Sequence, residues 1–310
     1  MSSTTFDDLR IAAQNAASAV SSATVAIGRD GRGTGIVIGP GKVLTSAHNL
    51  RDRTTQLRFT NGRIVQATVA AIDSDGDLAV LDADTADASA LLWAERVPEQ
   101  GDIVFAASPA ADGVRVSFGM VSAVARSFRG PQGRLISGSV EHSAPLARGA
   151  SGGPLVDGDG RLVGINTHRV GRTFYLARPG DEVVRQRIVD LAAGKSPQPR
   201  RLGVALAPAD VAAKLRQSVG LAERTGLLVR GVEANGPAAA AGIREGDLLV
   251  QVGEVELTSS DVLHTVLATL DGDRLSLAIV RGAEELQVEV VFGTAPAAAA
   301  ADGSDQSSGA

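Results

Sequence analysis

Ser151 stands in Gly149-Ala150-Ser151-Gly152-Gly153-Pro154-Leu155, a glycine-rich turn that holds a hydroxyl out with little around it. His48 ends the run Val43-Leu44-Thr45-Ser46-Ala47-His48, and Asp77 opens Asp77-Leu78-Ala79-Val80. A hydroxyl, an imidazole and a carboxylate are the groups that nucleophilic acyl transfer uses. Neutral imidazole accepts the hydroxyl proton as the oxygen attacks a carbonyl carbon, then donates it to the leaving amine. The carboxylate fixes the imidazole tautomer and stabilises the imidazolium without taking the proton. G-x-S-x-G is also the pattern of a nucleophile elbow, but an elbow runs into a helix and places its serine before the acid and the histidine. Here Pro154 and the turn Asp157-Gly158-Asp159-Gly160 follow Ser151, and His48 and Asp77 precede it. The elbow reading fails.

Composition narrows the chemistry further. With no cysteine in 310 residues, thiol nucleophiles, disulfides and thiolate metal sites are excluded. The histidines His48, His142, His168 and His264 have no helical ligand spacing, so neither a metal nor another cofactor is expected. His142, His168 and His264 read as structural. Gly31-Arg32-Gly33-Thr34-Gly35 leads into a strand, not a helix, so it is no phosphate cradle. A net charge of −5 and 3% aromatic residues argue against nucleic acid as a partner. No apolar run is long enough for a membrane helix.

The elements that must position these groups are mostly strands. From Thr24 to Arg178, short runs rich in Val, Ile, Leu and Thr alternate with turn signals such as Asn61-Gly62, Asp75-Gly76 and Asp112-Gly113. That spacing predicts a sandwich or barrel. A helix follows over Asp181–Ala193, stopped by Gly194. Residues 195–201, with Pro197 and Pro199, read as a linker. Beyond it the pattern is mixed α+β, with strands over Leu202–Leu206, Leu227–Val232, Leu248–Val252, Leu275–Val280 and Leu286–Val291. Helices are expected over Pro208–Ser218 and Ser260–Leu270, the latter capped by Ser260. Phe6–Val20 reads as a short amphipathic helix, and residues 294–310 as a disordered tail.

The order His48, Asp77, Ser151 is that of chymotrypsin-like proteases. Together with Gly33-Thr34-Gly35-Ile36-Val37-Ile38, Leu44-Thr45-Ser46-Ala47-His48, Asp77-Leu78-Ala79-Val80, Gly149–Leu155 and Gly164-Ile165-Asn166-Thr167, it resembles the HtrA (DegP-like) family of trypsin-fold serine proteases over about residues 5–293. The resemblance implies a mainly β fold, a chymotrypsin-like double β-barrel followed by a small α+β PDZ domain. The expected domains are an N-terminal segment 1–22, a protease domain 23–194, a linker 195–201, a PDZ domain 202–293 and the tail 294–310.

Family roles carry over to matching positions. Catalysis falls to His48, Asp77 and Ser151, and the oxyanion hole to the backbone amides of Gly149 and Ser151. Ala150 replaces the family's Asn before the nucleophile and removes a side chain that braces this loop. Pro145 and Leu146, opposed by Tyr175 and Leu176, imply an apolar specificity pocket for small or medium aliphatic residues. Arg201-Leu202-Gly203-Val204 is similar to the carboxylate-binding loop of HtrA-type PDZ domains, with Leu202, Gly203 and Val204 contacting a peptide C-terminus. The implied function is endopeptidase action on unfolded or damaged proteins, with the PDZ domain tethering substrate or activating the protease. The alternative is an idle, chaperone-like or peptide-binding scaffold. The family also implies homotrimers built around N-terminal aromatics, of which this chain has Phe6. Residues 1–22 lack a basic start followed by an apolar core, so a cytoplasmic location is expected.

Overall fold

The computed structural model describes residues 2–86, 88–111, 113–130, 133–197, 200–218, 220–270 and 272–292. The predicted tail, and residues 198–199 of the predicted linker, lie outside them. The fold is mainly β, and the chain divides into two compact units, Met1–Pro197 and Gln198–Ala310.

The first unit opens with helix α1 (Ser2–Ala23), longer at both ends than the periodicity alone indicates. Strands β1 (Thr24–Ile27), β2 (Gly33–Gly39), β3 (Lys42–Thr45), β4 (Thr54–Phe59), β5 (Ile64–Asp73) and β6 (Leu78–Ala83) close a barrel in the order β1-β2-β3-β6-β5-β4. A second barrel closes in the order β10-β11-β12-β9-β8-β7. Its strands are β7 (Ile103–Ala110), β8 (Gly113–Arg129), β9 (Leu135–His142), β10 (Pro154–Val156), β11 (Leu162–Val170) and β12 (Phe174–Pro179). Closure leaves neither sheet with an open edge. The sequence pattern does not mark β12, because Tyr175, Leu176 and Ala177 form a continuous buried run without polar alternation.

Helix α2 (Glu182–Ala192) follows, with the Asp181 carboxylate accepting the Val184 N–H at its N-cap. It packs Val184, Ile188 and Leu191 into the main core alongside Leu44, Leu57 and Leu81. On α1, Ala16, Val20 and Ala23 are fully buried in that same core. The helix also presses on the hairpin between β10 and β11, where a Cβ on Gly160 would lie 2.5 Å from the Ala19 Cβ. Small residues on both sides permit that approach.

The second unit contains β13 (Val204–Ala207), α3 (Ala209–Ser218), β14 (Leu227–Val232), α4 (Pro237–Ala240), β15 (Leu248–Val252), β16 (Val255–Glu256), α5 (Ser260–Thr269), β17 (Arg274–Arg281) and β18 (Glu284–Val291). The sheet runs β13-β14-β15-β17-β18, leaving β13 on an edge. Two details differ from the sequence reading. Leu202 and Gly203 precede the first strand, because Gly203 is left-handed (φ +74°) and breaks the extended run. Ser259, not Ser260, caps α5: Ser259 is extended (φ −154°, ψ 162°) and its hydroxyl accepts the Val262 N–H, while Ser260 is already helical. Adjacent serines offer the same cap chemistry, and only the backbone decides between them.

Leu44 is fully buried on β3, the strand that leads to His48. Truncation to alanine removes its packing and leaves a partly relaxed cavity. Leu44→Ala is expected to lower stability by about 2–5 kcal/mol, read as a shift of the urea midpoint at unchanged slope.

Candidate active site

The three chemistry-bearing side chains come from three turns. His48 sits in a short 3-10 turn, Ala47–Asn49, after β3. Asp77 immediately precedes β6, and Ser151 lies in the loop between β9 and β10. His48 Nδ1 lies 2.9 and 2.8 Å from the Asp77 carboxylate oxygens. A carboxylate accepts, so Nδ1 donates here and Nε2 is left free to accept a proton. Asp77 is buried, and its Oδ1 also accepts the His48 backbone N–H at 3.0 Å. Its Oδ2 accepts the Thr167 hydroxyl at 3.1 Å.

Asp77 has φ +54°, a left-handed conformation that costs a non-glycine residue about 1–3 kcal/mol and persists only where surroundings enforce it. Here they do. The Ala47 N–H donates to the Asp77 carbonyl, and the Gly76 N–H to the Asp73 carboxylate at 2.8 Å. The Arg178 guanidinium donates to the Gly76 carbonyl at 3.3 Å, and Arg187 lies 3.5 Å from Asp73. Burial pushes the Arg178 guanidinium below the ordinary arginine value, with Asp73, Asp181 and Asp77 opposing that shift.

The nucleophile loop is fixed from outside. Gly149 and Gly152 are both left-handed (φ +81° and +83°). A Cβ on Gly149 would meet the Gly31 carbonyl at 2.4 Å, and one on Gly152 the Thr34 carbonyl at 2.3 Å. Glycine is required on both counts. Among the described residues, neither the Gly149 nor the Ser151 N–H meets a protein acceptor, so both donors remain for an oxygen that gains charge. The Ser151 hydroxyl donates to the Thr167 carbonyl instead of His48.

Of the sequence-predicted pocket residues, Leu146 and Tyr175 come together: the Tyr175 hydroxyl donates to the Leu146 carbonyl at 3.2 Å. Pro145 is exposed, and its carbonyl accepts the Ser117 hydroxyl. Leu176 does not share this wall. Strand alternation turns it to the opposite face of β12, where it is buried with Phe128 and Ile136. Behind Tyr175 lies His142, fully buried and stacked on its ring at 5.8 Å between centroids. His142 Nε2 is 2.9 Å from the Asn166 carboxamide oxygen. Asn166 in turn donates its side-chain amide to the Pro154 carbonyl and accepts the Gly152 N–H at its own carbonyl. Burial pushes His142 down to about 4, against the hydrogen bond to Asn166. It is neutral in the fold.

In the second unit, the Leu202 and Gly203 carbonyls accept the N–H groups of Ala238 and Glu233, which pins the loop ahead of edge strand β13. Val204 and Leu206 on β13, and Val262 and Val266 on α5, are half-buried against one core. An edge strand flanked by half-buried apolar side chains is suited to accept an added peptide strand. Arg200 donates to the carbonyls of Leu270 and Gly272, fastening the start of this unit to the end of α5.

Residues 33–165 match the trypsin-like peptidase domain family, and residues 201–291 the PDZ domain family. Mitochondrial serine protease HTRA2 of Drosophila virilis is 30% identical over 281 residues, covering 83% of this chain and 66% of that protein. The chain belongs to the HtrA family. Serine endoprotease DegS of Escherichia coli K12 is 26% identical over 287 residues, covering 86% of this HtrA chain and 77% of DegS. A probable periplasmic DegP-like endoprotease of Pseudomonas fluorescens is 30% identical, with 85% and 56% covered. The solved structure of the HtrA-type protease AlgW with a decapeptide superposes with a TM-score of 0.70 at 25% identity, covering 86% of this chain and 83% of AlgW. The chain spans 65–66% of the length of the Drosophila HTRA2 relatives that it matches.

These relatives overturn the expected cytoplasmic location, since they are named mitochondrial and periplasmic. The physical reason is that an address is carried by a leader segment, not by a folded core. Residues 2–23 form α1 of the folded unit and are no guide to compartment. Sequence reasoning also missed Thr34, Asn49, Thr167 and Arg178, which hold the triad turns. Thr34 and Thr167 lie in the quoted motifs Gly33–Ile38 and Gly164–Thr167, a signal that could have found them; Asn49 and Arg178 reach the site through partners about 100 residues away. No described helix of this HtrA chain is long and apolar enough to cross a membrane.

His142 makes this fold sensitive to acid. The unfolded chain takes up the imidazole proton below about 6.5, whereas the folded chain takes it up only near 4. Stability is therefore full above 6.5 and falls as pH drops from 6.5 to 4, by roughly 3 kcal/mol. Urea midpoints measured across that range should fall steeply for the wild type and by that much less for His142→Gln. Parallel curves would remove His142 as the cause.

Proposed function

We propose that this chain is a serine endopeptidase, with its peptidase domain over 23–194 and its PDZ domain over 202–293 joined by 195–201. The hydrogen-bonded series Thr167–Asp77–His48, beside a loop that offers Ser151 and two unpaired amides, carries the reading. Ser151 Oγ bonds to the scissile carbonyl carbon while its proton passes to His48 Nε2. The amides of Gly149 and Ser151 hold the resulting oxyanion. Collapse breaks the C–N bond, the amine leaves with the proton from His48, and water attacks the acyl-enzyme by the same route. Asp77 orients the imidazole throughout and stabilises its charged form.

Substrate entry is set by the wall of Leu146 and Tyr175. Tyr175 is buried, bonded to the Leu146 carbonyl and stacked on His142, so its ring has little room to yield. A small aliphatic residue at the cleavage position suits this wall, and extended, unfolded or damaged chains are the substrates that present one. At the PDZ domain, a peptide C-terminus adds as a strand to β13, its carboxylate meeting the loop Leu202-Gly203-Val204. Relatives named mitochondrial and periplasmic support action outside the cytoplasm. The family assembly is a trimer, for which Phe6, 75% exposed on α1, is the aromatic on offer.

One observation favours a second reading, an idle peptide-binding scaffold: the Ser151 hydroxyl is bonded to the Thr167 carbonyl and has to rotate toward His48 before it reacts. Casein digestion and fluorophosphonate labelling separate the two. Wild type is expected to digest and to label on Ser151, while Ser151→Ala loses on the order of 10⁴-fold or more in rate. A wild type as inert as Ser151→Ala, with and without a C-terminal peptide ligand, establishes the scaffold. Tyr175→Gly is expected to shift preference toward larger residues at the cleavage position by about 10-fold or more, scored on a peptide series; an unchanged order removes Tyr175 from the pocket.

A further inference from the structure

Asn49 follows the candidate base directly, yet it is only 2% exposed. Its side-chain nitrogen carries two hydrogens, and both are used: one on the Thr45 hydroxyl at 3.0 Å, the other on the Ser151 carbonyl at 2.8 Å. That carbonyl also accepts the Thr34 N–H at 2.9 Å. The Thr34 hydroxyl donates to the Gly149 carbonyl at 2.7 Å, and Thr45 closes the group by donating to the Thr34 carbonyl at 2.7 Å. The place for Asn49 is built. A Cβ on Gly33 would lie 2.2–2.5 Å from its carboxamide, and Arg32 Nε holds its backbone carbonyl at 2.8 Å.

Peptide groups are planar, so a held carbonyl fixes the plane it belongs to. The Gly149 and Ser151 carbonyls belong to the planes on either side of the Ala150–Ser151 peptide, which carries the Ser151 N–H. Ala150 is buried and has no polar side chain, so the brace for the loop comes from the other barrel. We propose that Asn49, together with Thr34, is a positioning residue that aims the Gly149 and Ser151 amides at the reacting oxygen. The proposal rests on Ser151 as nucleophile.

Asn49→Leu keeps the volume and removes both donors. With a short chromogenic peptide, it is expected to lower kcat about 10- to 100-fold while KM stays within about twofold. A peptide boronic acid, whose tetrahedral adduct on Ser151 places an oxygen against those amides, should lose affinity by the same factor per titrated active site. Thr34→Val should behave alike, and Thr34→Ser, which keeps the hydroxyl, should recover most of that loss. The Thr34 pair carries the test if Asn49→Leu does not fold. Wild-type kcat in Asn49→Leu and Thr34→Val overturns the proposal. So does a lower kcat with boronate affinity per active site unchanged, which marks a merely structural role. A wild type that neither cleaves nor labels with fluorophosphonate defeats the nucleophile reading itself, a distinct result.

Discussion

Carbonyl groups of one barrel held by a hydroxyl and two amides of the other are the constraint on which the site depends. Ser151 belongs to the second barrel, and His48 and Asp77 to the first. Neither barrel alone holds the three groups together. The seam of Thr34, Thr45 and Asn49 on one side, with the Gly149 and Ser151 carbonyls on the other, sets their spacing. Because these groups are buried, each left unpaired would cost about 1–3 kcal/mol, so the seam forms as a whole. On the far side, the Thr167 hydroxyl repeats the device by reaching from β11 to the Asp77 carboxylate.

Closed barrels make this arrangement practical. A barrel wall is a rigid, fully hydrogen-bonded surface, and its loops carry whatever must be strained. Asp77 and the two left-handed glycines of the nucleophile loop all lie in such loops. The strain at Asp77 is local, and the structure that opposes it reaches from β5 through β12 to α2, by way of Asp73, Arg178 and Arg187. The PDZ unit uses a looser principle, an unpaired strand edge.

The sequence disclosed the site unevenly, for physical reasons. His48, Asp77 and Ser151 sit in short motifs whose meaning is local: a turn after a strand, a strand start, a glycine loop. Their order was readable without coordinates. Asn49, Thr34 and Arg178 act on the site through hydrogen bonds to groups about 100 residues along the chain, and no periodicity encodes such contacts. Leu176 shows the same limit from the other side. Its type suits a pocket wall, but alternation along a strand absent from the sequence pattern turns it into a separate cluster. Edges of elements went astray where backbone conformation alone decides, at Gly203 and at Ser259.

Helix α1 has a consequence for how the first unit assembles. The hairpin at Gly160 that receives Ala19 lies about 140 residues further along the chain, a contact of long sequence separation. Ala16, Val20 and Ala23 join a core that draws on both barrels and on α2. Full burial of this helix thus needs side chains from both barrels, so protection of its buried face from solvent is a gauge of the whole first unit.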